Sequence, residues 1–301
     1  MIFSLALLLP LSFAALISEY AGVLAVFLEG LVNLSSFLFF FFSIVFGNLY
    51  VAFAFTFLCS GLFVFASSFC VAKLKLNPFI AGLGINLVIS GVISLVSESV
   101  FGTKSLVTEV VTGTSIFTSS VIKSWQTGLF FCISAVLLCL FLFLKFTKAG
   151  RILKVSGREK DVLFSCGIKQ ENFWIFSWVA ASVLACFSGI LCTLKFAAFV
   201  PNVCAGRGWI ALALVFIGKK SSFGVILATI FYAMLEYGIN NVSVIFGGIF
   251  ANINSTVLLA VPYFVILVML FFVRGEIYFA KSIKFKKCET YFAKSKNFQN
   301  C

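Results

Sequence analysis

The chain is a succession of apolar runs, each near 20 residues, separated by short segments in which the charge collects. They fall at roughly 2–18, 22–46, 48–72, 79–100, 127–147, 173–194, 198–218, 222–243 and 255–273. A helix rises 1.5 Å per residue, so a run of about 20 matches the hydrocarbon thickness of a bilayer. Only helices and closed barrels satisfy their backbone polar groups in lipid. Barrel strands need short segments of alternating polarity, whereas these runs are continuous. With 62% hydrophobic and 11% charged residues, the chain carries more apolar surface than a soluble core of 301 residues can hide. The fold class is therefore all-α: a polytopic, multi-pass integral membrane protein, with about 8–10 transmembrane helices, some broken or re-entrant.

Charge placement sets the expected orientation. Eighteen of the 22 Lys and Arg residues lie in four places: Lys73 and Lys75; Lys145 through Lys169; Lys219 and Lys220; and Arg274 through Lys296. Cytoplasmic loops carry an excess of such residues, so these four segments are expected inside. The net charge of +12 is then topology and contact with anionic membrane lipid, rather than nucleic-acid binding. Residues 1–273 read as the membrane domain, with a cytoplasmic loop at about 148–172, and residues 274–301 as a basic cytoplasmic tail. The segment 101–126, rich in Ser and Thr and carrying Glu109, is the long outer loop. Residues 1–17 have the apolar core of a signal peptide but no positive charge before it, and are expected to stay as an uncleaved first helix.

The sequence has no histidine, and its ten cysteines form no C-x-x-C pair. Most of them, such as Cys59, Cys70 and Cys186, sit inside apolar runs, where Cys behaves as a small hydrophobe. Neither a disulfide framework nor a metal site is expected. His-based catalysis is excluded, and the chain is not expected to be an enzyme. No phosphate-binding G-x-x-x-x-G-K-[ST] loop occurs, so the chain is expected to bind no ATP or other cofactor itself.

Several polar residues stand where lipid should be. Glu29 and Asn33 lie one helical turn apart inside the second run, and Asn86 lies inside the fourth. Arg207 stands between Gly206 and Gly208 at the mouth of a short apolar segment, and Glu236 lies within the eighth run. Ionisable groups at membrane depth cost several kcal/mol unless they meet water or a partner. These five residues are the candidate solute pathway, the alternative being interhelical hydrogen bonding. Gly82-Leu83-Gly84-Ile85-Asn86 is laid out like Gly206-Arg207-Gly208-Trp209-Ile210, which suggests two matching broken helices from an internal repeat. In the basic loop, Ser156-Gly157-Arg158-Glu159 fits a capping box, and Gly167 can end the short helix that it starts. A helix that short is marginal alone and is expected to rest on a partner.

Three of these segments also resemble one family. Ala205 to Gly218 is similar to the "GRGFIALA…IFG" signature of permease subunits of ABC importers of the nucleoside and simple-sugar group. Ser18 to Gly30 resembles the "SERAGVVNIGLEG" element of permeases that work with basic-membrane-protein-type lipoproteins, with Tyr20 in place of arginine and Ala25 in place of asparagine. Leu74 to Asn86 resembles "LKANQVVSGLALN". The resemblance implies a permease for a small neutral solute, most often a nucleoside, with simple sugars and riboflavin as alternatives. It implies three kinds of partner: an ABC ATPase subunit that binds ATP, a second permease or a copy of this chain, and an extracytoplasmic substrate-binding lipoprotein. Gly157 to Ile168 resembles the family's ATPase-coupling helix, which makes Gly157, Glu159, Cys166, Gly167 and Ile168 the coupling residues. An ion-coupled secondary transporter, with Glu29 and Glu236 binding the ion, is the rival from another class.

Overall fold

The computed structural model describes residues 1–108, 117–157, 170–241 and 260–271. Glu109, Glu159, Cys166, Gly167, Ile168 and the tail 274–301 lie outside the described residues. The chain forms two compact units, Met1–Tyr237 and Gly238–Cys301. In chain order the elements are α1 (Ile2–Tyr20), α2 (Leu28–Phe46), α3 (Leu49–Lys73), α4 (Pro78–Phe101), β1 (Val107–Thr108), α5 (Ser119–Phe146), α6 (Lys148–Ser156), α7 (Gln170–Phe196), β2 (Ala198–Phe199), α8 (Arg207–Ile217) and α9 (Ser222–Asn240). The described part of the second unit contains a short apolar helix, α10 (Ala260–Phe271).

Seven of the described helices are long and apolar enough to cross a bilayer. The structure is that of a polytopic all-α membrane protein. Two of the expected spans are corrected by it. Residues 22–46 are not one helix, because α2 begins only at Leu28. Residues 198–218 do not cross, because α8 has 11 residues and spans little more than half the hydrocarbon core.

The remaining boundaries follow local chemistry. Asn48 accepts a hydrogen bond from Tyr50 N (2.9 Å) and caps α3. Asn77 accepts one from Phe79 N (3.0 Å), with Pro78 in the first helical turn of α4. Gly47 closes α2 with φ +62°, a left-handed backbone that suits glycine.

Helix α7 is the centre of the first unit and packs against α1, α2 and α3. α2 in turn packs on α3 and α4, and α8 lies against α1 and α2. Lipid tails are as apolar as the side chains, so small residues and polar contacts must hold such helices together. Gly189 of α7 is pressed so close to α2 that a Cβ there would lie 2.6 Å from the Val32 carbonyl oxygen. Beside it, Ser36 Oγ and Thr193 Oγ1 share a hydrogen bond of 2.8 Å. Ser188 donates to the Leu7 carbonyl of α1 (2.9 Å). Most of α1, α2 and α7 is buried, whereas α3, α4 and α5 turn most of their apolar side chains outward. Past the ends of α4 and α7, β1 and β2 pair antiparallel, Val107 opposite Phe199 and Thr108 opposite Ala198.

Candidate functional site

Two interruptions of the helices create the site. The first is residues 21–27, between α1 and α2. Gly22 has φ +80°, which turns the chain out of α1, and Ser18 Oγ accepts from Ala25 N (3.1 Å). Exposed backbone at membrane depth requires partners. Asn86 of α4 supplies them: its Oδ1 accepts from Gly30 N (2.8 Å) and its Nδ2 donates to the Val26 carbonyl (2.9 Å). A Cβ on Gly30 would lie 2.6 Å from Asn86 Oδ1, so only glycine admits this contact. Gly82 packs its missing side chain against Val26 Cβ, at 3.1 Å from where its own Cβ would be. Gly82 therefore serves close packing within an unbroken helix. The expected pair of matching broken helices is corrected: 206–210 opens a half-helix, and 82–86 does not interrupt one.

The second interruption is residues 200–206, ahead of α8. Asn202, Ala205 and Gly206 all have positive φ, which folds the chain into a tight turn at the entry to the half-helix. The first amides of any helix lack intrahelical partners and carry partial positive charge. Both oxygens of Glu29 meet them: Gly206 N donates to Oε1 (2.7 Å) and Gly208 N to Oε2 (2.9 Å). Gly208 must be glycine, since a Cβ there would lie 2.7 Å from Glu29 N. One turn on, Asn33 Oδ1 accepts from Cys204 N (3.0 Å), and its Nδ2 donates to Asn202 Oδ1 (3.4 Å). Arg207 pairs with Glu236 of α9, Nη2 to Oε1 at 3.2 Å, with side chains 29% and 10% exposed.

Glu29, Asn33, Arg207 and Glu236 thus converge on the mouth of α8, and Asn86 braces the start of α2 that carries two of them. The sequence picked out the polar residues but not their partners. Among the described residues, Glu29, Asn33 and Asn86 each bind backbone that has left a helix, and Arg207 is neutralised by Glu236. The Oε2 atom of Glu236 is buried and has no hydrogen-bond partner among the described residues. Asn202, which completes the turn with Asn33, was not among the expected site residues; its signal is the Pro-Asn pair at 201–202. No three of His, Cys, Asp or Glu come together as a metal-binding group among the described residues.

At the other end of α8, Lys219 and Lys220 take positive φ, and Lys220 Nζ pairs with Glu19 Oε1 at the end of α1. Lys154 of α6 stands 5.0 Å from the centre of the Tyr20 ring. Ser156 is the last residue of α6, a helix that Thr147 caps by accepting from Gly150 N (3.1 Å). Ser156 is thus helical itself, and the rest of the expected capping box, with the helix it would open, lies outside the described residues. Gly157 follows it and rests directly on the chain at Glu19, Tyr20 and Gly22.

A family model described as a branched-chain amino acid transport system permease component matches residues 1–274. The chain belongs to this permease family. It is a multi-pass membrane protein and a transport component rather than an enzyme. It is 26% identical over 208 residues to an uncharacterised protein of Mycoplasma pneumoniae, a match covering 67% of this chain and 64% of that one. It is 23% identical over 231 residues to a putative glucose ABC transporter permease of Haloferax volcanii, covering 73% and 70%. It is 28% identical over 151 residues to the D-allose transport system permease of Escherichia coli, covering 50% and 44%. No solved structure matches the permease.

Proposed function

We propose that this permease is the membrane subunit of an ATP-driven ABC importer for a small neutral solute bearing sugar hydroxyls, carried as a nucleoside or as a simple sugar. Nucleosides are favoured by the resemblance at Ser18 to Gly30, and sugars by the names of the Haloferax and Escherichia relatives. The observation that carries the reading is the half-helix α8, whose charges are consumed internally. Both oxygens of Glu29 are taken up by the α8 amides and Arg207 is paired with Glu236, so these side chains are already engaged within the protein. Glu236 Oε2 is the acceptor left over. When the mouth of α8 opens, that oxygen suits a hydroxyl donor.

The chain supplies the pathway and not the energy. An ATPase subunit would bind ATP and bear on the cytoplasmic segment Gly157 to Ile168. A second permease, or a copy of this chain, would complete the cavity, and an extracytoplasmic lipoprotein would deliver the solute. Helix bundles that rock about broken helices expose such a cavity to each side in turn.

The test is uptake into vesicles that contain the permease, the ATPase and the binding lipoprotein. Labelled nucleosides and hexoses should enter when ATP is supplied inside and no ion gradient is imposed. Uptake driven by a gradient alone, with no ATPase present, would overturn the proposal.

A further inference from the structure

Half-helix α8 is attached at both ends to one short stretch of chain. At its start, Glu29 holds the Gly206 and Gly208 amides. At its finish, Lys220 pairs with Glu19. The turn that carries Lys220 is fixed, because Lys219 and Lys220 hold φ of +53° and +54° while their amides bind the Phe216 and Val215 carbonyls, each at 3.0 Å. Both carboxylates belong to residues 19–30, on either side of the irregular stretch 21–27.

The same stretch is met from the other side by the end of α6. A Cβ on Gly157 would lie 2.5 Å from the Tyr20 carbonyl oxygen, 2.8 Å from Gly22 N and 2.9 Å from the Glu19 carbonyl oxygen. Reciprocally, a Cβ on Gly22 would lie 3.0 Å from Gly157 Cα. This is backbone against backbone, with no side chain between to absorb a shift. Close-packed contacts of this kind pass displacement on rather than damping it. Gly150, by contrast, presses the same helix α6 against α5: the atoms nearest to a Cβ there are the Phe143 carbonyl oxygen, at 2.6 Å, and the Leu144 backbone.

We infer that residues 19–30 transmit displacement between the end of α6 and half-helix α8, with the Gly157–Gly22 contact as the input and Glu19 and Glu29 as the positioning residues that attach α8. The use of this link in transport rests on the proposed function; its mechanics do not. Force applied to the cytoplasmic loop would then reach α8 through two carboxylates, Glu19 at its finish and Glu29 at its mouth, without passing along α7.

Two measurements test it. Amide hydrogen exchange is followed in the purified full chain in lipid nanodiscs, comparing Gly157→Ala with Gly150→Ala. Each substitution adds one methyl, at the residue that closes α6 or in its first turn, but only the first sets that methyl directly against residues 19–22. Exchange at residues 206–210 should quicken about tenfold in Gly157→Ala and stay unchanged in Gly150→Ala. Equal behaviour of the two variants at 206–210, whether both fast or both unchanged, would overturn the link. In the assembled transporter, Gly157→Ala should raise the ATP consumed per solute imported severalfold. An unchanged ratio in a variant with altered exchange would remove the coupling role. If the unmodified protein imports nothing with ATP, the proposed function fails while the exchange result still decides the link.

Discussion

Glu29 shows how a charge is kept at membrane depth. A free carboxylate there would be costly, but the start of a helix offers amide donors and a positive field, a favourable setting worth about 0.3–2 kcal/mol for the charge alone. The pairing with Gly206 and Gly208 also prevents two amides from being orphaned. Glu29→Gln keeps one acceptor, turns an NH₂ group toward an N–H donor and loses the charge. It should destabilise the protein by about 1–2 kcal/mol, and Glu29→Ala by more, about 2–4 kcal/mol. Thermal unfolding of the detergent-purified variants measures this, and an Ala variant as stable as the parent would contradict the capping role. Glu236 differs in kind, since one of its oxygens holds Arg207 and the other has no partner among the described residues. Glu236→Gln should therefore lower solute uptake more than it lowers stability. Equal losses in both, read by uptake and unfolding of the same preparation, would assign Glu236 a purely structural part.

The helices of the first unit are joined through glycines that do different work in similar-looking places. Gly189 lets α7 approach α2, and Gly61 of α3 has open space around its Cα. Gly189→Ala must push α7 from α2 and should cost about 1–3 kcal/mol. Gly61→Ala meets nothing and gains helix propensity, so it should be neutral or stabilising by up to about 1 kcal/mol. Unfolding midpoints of the two variants check the contrast, and a reversed order would show that the α2–α7 contact is looser than described. The interrupted elements obey one rule throughout. Where a helix stops inside the apolar layer, a polar side chain from another helix completes its backbone: Asn86 for α2, Glu29 and Asn33 for α8.

Across the whole first unit, two ends can be told apart. Lys154, Gly157, Glu19 and Lys220 meet at one end, joining two of the four basic segments. The loop after α4 and the segment after α7 meet at the other end through β1 and β2. Both α4 and α7 begin beside basic segments, so the paired strands lie at the end away from them. A cysteine placed at Lys75 or Lys220 should react with a membrane-impermeant reagent only after the cytoplasmic face is opened. One placed at Ser105, exposed in the loop before β1, should react in intact cells. Native cysteines are replaced beforehand, and labelling of position 220 in intact cells would reverse the orientation.

The apolar runs by themselves determined that the chain lives in lipid and is built of helices, because that solvent leaves a continuous 20-residue run no other way to satisfy its backbone. The polar residues of the site were legible for the same reason: Glu29, Asn33, Asn86, Arg207 and Glu236 stand out against an apolar background. Their partners were not legible. Residues 21–27 are as apolar as a helix, and what frees them from being one is Asn86, some sixty residues further along the chain. Gly82 and Gly206 look alike in sequence, yet one packs within a helix and the other turns the chain with φ +81°. A glycine permits both uses, and an amide or carboxylate at membrane depth accepts whichever backbone is nearest. Tertiary structure made that choice, because hydropathy records how much polarity a segment carries and not which distant backbone will meet it.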